Sequence, residues 1–270
     1  MNRALPGTLA AVIWRELVKS HRQRGRFLSA LVRPLIWLLV IGGGLNALID
    51  TGQGRYLSFL LPGVVAMTLL FGGMLSGLSL AVDREYGVLR LLIVAPVAHH
   101  WVVIAKWFAA AILAVLQAMM LLVVLWVIGL APVPAGVVQI AQLFAGLAAG
   151  GMVCAALGVL CGAYAKTLDN MAVMMNFVIF PLFFLSGALY PVQRLPLPLK
   201  LVSAVNPFTY AVDLLKHALL EPTATLAGAD FSFGFGLLVS AGSTALLLAL
   251  ASYKFAGRGY LRVVGARRGT

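Results

Sequence analysis

The side chains in this sequence that could do chemistry are few, and most stand apart from one another. His99 and His100 are adjacent, but no carboxylate lies beside them, and neighbouring residues on a helix face different ways. Ser186 and Ser203 lie near prolines without the G-x-S-x-G setting of a nucleophilic serine. No HEXXH occurs. Cys154 and Cys161 are seven apart on one helix face, with no CxxC or Cys/His cluster around them. They read as small apolar core residues rather than a metal or redox site. The run from Gly158 to Thr167 distantly resembles a phosphate-binding GxxxxGK[ST] loop. Its Lys166 does not follow a glycine, and no strand precedes it. The expectation is a chain that is not an enzyme, holds no metal and binds no ATP by that motif.

One polar element is concentrated. The stretch DREYGVLRLLIVAPVAHHWVVIAK, Asp83 to Lys106, sits between two long apolar blocks. Asp83, Arg84 and Glu85 are followed by Tyr86-Gly87. Leu89, Leu92, Ile93 and Pro96 then punctuate a short amphipathic stretch. Such a segment suits a groove on a partner protein, apolar anchors supplying affinity and charges setting orientation. A span joined to it would move when the partner moves.

The elements that must position this knot are set by composition. The chain has 270 residues, is 62% hydrophobic and only 10% charged, and has a mean hydropathy of +1.01. A soluble domain is about half apolar and about a quarter charged. The solvent for most of this chain is therefore lipid, and its spans must be helices, which satisfy their own backbone. Six apolar runs are long enough: roughly 28–48, 57–82, 107–130, 138–163, 171–190 and 231–254. They do not alternate as barrel strands would. No cleavable signal peptide is evident. The expected fold is an all-α membrane protein of six transmembrane helices, with residues 1–27 ahead of the 28–254 membrane domain and a basic tail over 255–270.

The net charge of +12 is distributed unevenly. Arg3, Arg15, Lys19, Arg22, Arg24 and Arg26 precede span one, and Arg84, Arg90 and Lys106 follow span two. Lys166 follows span four, and Lys254, Arg258, Arg262, Arg267 and Arg268 end the chain. The opposite side has Arg55, Arg194, Lys200 and Lys216. This asymmetry places both termini in the cytoplasm and accounts for the basic balance without nucleic acid. Residues 8–24 read as an amphipathic helix on the membrane surface, with Arg15, Lys19, Arg22 and Arg26 as a basic stripe toward lipid or a partner and Gly25 as its end. The alternative is an ordinary basic flank. The glycine pairs Gly73/Gly77 and Gly146/Gly150 permit close helix contact.

Residues 187–230, with prolines at 191, 196, 198, 207 and 222, are too broken for a span and too apolar for a free loop. They read as short re-entrant helices between spans five and six, forming either an exit or a surface cap. Phe177, Phe180 and Phe184 make a helical stripe on span five, either a substrate path or packed core. Asn46, Gln117, Gln142 and Asn176 could bridge helices or line a path. The acids lie at span ends or outside, so the midplane charges of a secondary carrier are not apparent.

Two stretches carry a resemblance. DREYGVLRLLIVAPV (Asp83–Val97) resembles the first cytoplasmic loop of ABC-2 type permeases, the membrane subunits of many ABC exporters. FFLSGALYPVQRLPLPLKLVSAVNPFTYAVDLLKHAL (Phe183–Leu219) resembles that family's C-terminal signature, through Ser186, Gly187, Pro191, Leu195, Pro196, Asn206, Pro207, Thr209 and Tyr210. Lys216 stands where the family more usually has Arg. The resemblance covers nearly the whole chain. It implies a permease in a bacterial cytoplasmic membrane that pairs with a second copy of itself and with a separate ABC ATPase, where ATP and Mg would bind. It also implies a coupling role for Asp83, Arg84, Glu85, Tyr86, Gly87, Leu91 and Pro96. Export is the family's tendency. The alternatives are a stand-alone secondary carrier or channel, and a membrane scaffold.

Overall fold

A computed structural model describes residues 13–15, 18, 24–44, 56–87, 99–220 and 228–267. Its described residues contain helices and no strand. Helix α1 (Arg24–Trp37) continues into a π-helical turn over Leu38–Gly42. It is followed by α2 (Tyr56–Glu85), α3 (His99–Val127), α4 (Val137–Tyr164) and α5 (Leu168–Phe184). A 3₁₀ turn (Val192–Arg194) then leads to α6 (Leu197–Val205), α7 (Pro207–Leu219) and α8 (Phe233–Arg267).

Among the described residues, four helices are long and apolar enough to cross a membrane: Tyr56–Asp83, His100–Val127, Val137–Tyr164 and Phe233–Phe255. The remaining apolar helices are shorter, Val32–Gly42 and Leu168–Phe184. At about 1.5 Å per residue, the second of these falls a little short of a hydrocarbon core about 30 Å thick. The expectation of a span over 171–190 is corrected at both edges. Thr167 starts the helix early, its hydroxyl accepting from the Asn170 amide at 3.2 Å. At the other end Ser186 Oγ donates to the Phe183 carbonyl at 2.7 Å, and Gly187 turns the chain at φ +76°. Glycine alone adopts that backbone freely. Gly25, expected to end a surface helix, is itself helical, within α1.

Helix α2 is the axis of the bundle. It is buried along most of its length, and Leu61, Val65, Leu69, Leu70 and Met74 are core residues. The glycine spacing explains how α4 approaches it so closely. A methyl group at Gly73 would overlap the Cys154 and Ala155 backbone, and one at Gly77 would overlap the Gly158 carbonyl. From the other side, a methyl at Gly162 would meet Gly77. Without side chains at these points the two backbones pack directly, which is how helices associate where lipid supplies no hydrophobic drive. Cys154 and Cys161, both free, are buried in this seam.

Candidate functional site

The charged knot lies at the last turn of α2. Asp83 is buried, although it stands among charges. Lys106 of α3, itself buried, donates to Asp83 Oδ2 at 2.5 Å. Arg15 donates to the same oxygen at 3.1 Å from a more exposed position. A charge this far from water is tolerable only when paired. Three parts of the chain distant in sequence therefore converge on one carboxylate: Arg15, the end of α2 and the start of α3.

Glu85, two residues further on, is exposed and reaches elsewhere. Its Oε2 accepts from the backbone amide of Leu168 at 3.3 Å. Leu168 is the first residue of α5, so its N–H is one of the donors that a helix leaves without an internal partner. A carboxylate there also meets the positive end of the helix dipole. Tyr86 is 75% exposed, and Gly87 turns the chain away at φ +75° with open space around it. The knot therefore divides: Asp83 faces inward, Glu85 sideways and Tyr86 outward. The Arg84 side chain, and Leu91 and Pro96, lie outside the described residues, as do Lys19, Arg22 and the Arg26 side chain.

The signature residues form a joint at the opposite end of the bundle. Asn206 caps α7, its Oδ1 accepting from the Phe208 amide at 3.0 Å, while its Nδ2 donates to the Leu182 carbonyl of α5 at 2.8 Å. Pro207 occupies the first helical position, where a missing N–H costs nothing. Thr209 Oγ1 donates to the Ser203 carbonyl and Tyr210 OH to the Ala204 carbonyl, each at 2.8 Å, satisfying the last turn of α6. Pro191 and Leu195 bracket the 3₁₀ turn, and Pro196 stands immediately before α6. Tyr56 OH of α2 donates to the Leu189 carbonyl at 2.9 Å, tying this joint to the bundle.

Sequence reasoning missed a second ionic cluster beside the joint. Lys216 Nζ donates to Asp230 Oδ2 at 2.8 Å, and both side chains are buried. Asp213 accepts the backbone amides of Asp230 and Phe231, at 2.5 and 3.1 Å. Together these bonds fasten α7 to the residues just ahead of α8. The available signal was the i, i+3 spacing of Asp213 and Lys216, which puts both on one face of α7.

The aromatic stripe faces outward from this chain: Phe177 is 79% exposed, Phe180 44% and Phe184 40%. Phe180 and Phe184 stack with ring centroids 6.3 Å apart. Near it, an open apolar groove of about 520 Å³ runs between the end of α5 and helix α6, lined by Pro181, Leu182, Leu185, Leu201, Val202 and Val205. Gln117 is buried against Gly72, whereas Asn176 is exposed. Asn46 lies outside the described residues. Among the described residues no group of three or more His, Cys, Asp or Glu stands together as a metal site would require.

Residues 8–220 match the family model described as "ABC-2 type transporter". Among similar proteins, ycf38 of Cyanophora paradoxa, described as a transport permease, is 24% identical over 231 residues, covering 84% of this chain and 79% of that protein. Nodulation protein J of Rhizobium leguminosarum bv. viciae is 26% identical over 222 residues, covering 79% of this chain and 83% of that one. Inner membrane transport permease YadH of Escherichia coli (strain K12) is 25% identical over 214 residues, covering 77% and 81% respectively.

Proposed function

The chain belongs to the ABC-2 type transporter family, and on that premise we propose that it is the permease of an ATP-driven exporter, energised by a separate ATPase that docks on the loop 83–106. The observation that carries this reading is the outward presentation of Tyr86, 75% exposed, at the end of a helix whose preceding turn is locked by the Asp83–Lys106 pair. A docking point must be exposed to be bound and rigidly rooted to transmit a displacement. Tyr86 meets both conditions, and an aromatic of this kind is a favoured anchor at protein interfaces.

In this reading α1 and α5 complete six spans in a bacterial cytoplasmic membrane, with the Asp83 end and both termini on the cytoplasmic side. The 3₁₀ turn, α6 and α7 re-enter the outer leaflet. A second copy pairs with the chain, and lipid covers the remaining apolar faces. ATP and Mg belong to the ATPase. Phe177, Phe180 and Phe184 border the route taken by an apolar or sugar cargo.

The test is purification from native membranes in a gentle detergent, with co-purifying proteins identified by mass. A stoichiometric P-loop ATPase that is lost in Tyr86→Asp, with membrane insertion unchanged, supports the pump. A homo-oligomer without ATPase supports the lone carrier or channel. One observation favours that second reading: Asp213, Lys216 and Asp230 are buried ionisable groups. Their charges are already met by one another and by backbone amides, however, which suits a fastening better than ion coupling.

A further inference from the structure

Asp83 and Glu85 stand two residues apart, yet they hold different elements. Asp83 fixes the end of α2 to α3 and to Arg15. Glu85 reaches the first amide of α5, which comes more than eighty residues later in the chain. α5 is in turn held at its far end, where Asn206 Nδ2 binds the Leu182 carbonyl and the same side chain caps α7. A helix is stiff along its axis. One gripped at its first residue by the knot and near its last turn by the signature joint is a strut between the two.

We propose that Glu85 is a positioning residue which carries displacement of the loop 83–106 into α5, and through Leu182 and Asn206 into α7. The inference rests on the pump reading above. It assigns to Glu85 a contact within the chain rather than one with the ATPase, and it gives the two ends of the molecule a physical connection through α5. The exposed face carrying Phe177 would be displaced with the helix.

The bond can be deleted with little change elsewhere. Leu168 occupies the first helical position, where proline is favoured. Thr167 before it is already extended, at φ −132° and ψ 168°, as a residue preceding proline must be. Leu168→Pro therefore removes the donor and leaves the helix start intact, and Leu168→Ala controls for lost packing. A nitroxide attached at Phe177→Cys reports movement of α5, because Cys154 and Cys161 are buried and stay unlabelled. In the complex with its ATPase, trapping with ATP and vanadate should change the spectral line shape of the parent and of Leu168→Ala. Leu168→Pro and Glu85→Ala should each lose that change, and the pair together should lose no more than either alone. Glu85→Gln, which keeps an acceptor oxygen, should regain part of it. A full line-shape change in Leu168→Pro overturns the strut, as does a parent that hydrolyses ATP without any change at position 177. A parent that binds no ATPase overturns the pump reading instead.

Discussion

Asp83 shows how one carboxylate is given its role by burial. In water its attraction to a lysine would contribute little. Here both Asp83 and Lys106 are buried, and removing either deprives the other's charge of its buried partner, while the more exposed Arg15 still stands against Asp83. Asp83→Asn and Lys106→Met should each lower stability by about 3–5 kcal/mol. The double variant should recover much of that loss, because the uncompensated charge is gone. Arg15, at 40% side-chain exposure, should matter less. Thermal unfolding in detergent, read as a double-mutant cycle, checks this. Additive losses would show that the two residues act separately.

At the scale of the element, the glycines separate into two classes that the sequence writes alike. Gly77 has the α4 backbone against it, whereas Gly43 and Gly44 have nothing within 4 Å. Gly77→Leu should therefore prevent α2 and α4 from seating, at a cost of about 3 kcal/mol or more. Gly44→Ala should be neutral or stabilising by up to about 1 kcal/mol, since alanine restricts the unfolded chain. Expression yield and thermal midpoint measure both, and equal effects would refute the contact. Asn206 belongs to two elements at once. Asn206→Ala removes the cap of α7 and the tie to Leu182, and should cost about 2 kcal/mol. Asn206→Asp keeps the cap and loses the donor, so an intermediate midpoint is expected.

For the whole molecule, the two ionic clusters sit at opposite ends of the bundle, with α5 between them. The knot gathers Arg15, α2, α3 and α5. The Lys216–Asp230 pair gathers α7 and α8. Lys216→Met leaves Asp230 buried without its cation and should loosen the start of α8 without affecting the knot. Hydrogen exchange would then rise over 228–240 and stay unchanged over 80–86. A rise at both ends would mean that the bundle unfolds as a unit. The Tyr86→Asp pull-down belongs to this scale as well, because it tests what the molecule binds rather than what holds it together.

The sequence by itself determined the solvent, because 62% apolar residues and 10% charges leave no alternative to lipid. It also determined the helical class, the placement of the charged knot between two long apolar blocks, and the family, through spaced motifs that survive without coordinates. The glycine seam was legible as a possibility, but which helix met it was not. Only the tertiary structure decided the direction each charged side chain took. Asp83, Glu85 and Tyr86 lie within four consecutive residues of the knot, yet one turns inward to Lys106, one sideways to Leu168 and one outward. That division depends on where α3 and α5 lie, and no local pattern encodes it. The same holds for Lys216, whose partner Asp230 comes fourteen residues later, beyond the end of its own helix. The Phe177 stripe was ambiguous for a related reason: a helical period records which residues share a face, and only the packed neighbours decide whether that face is covered.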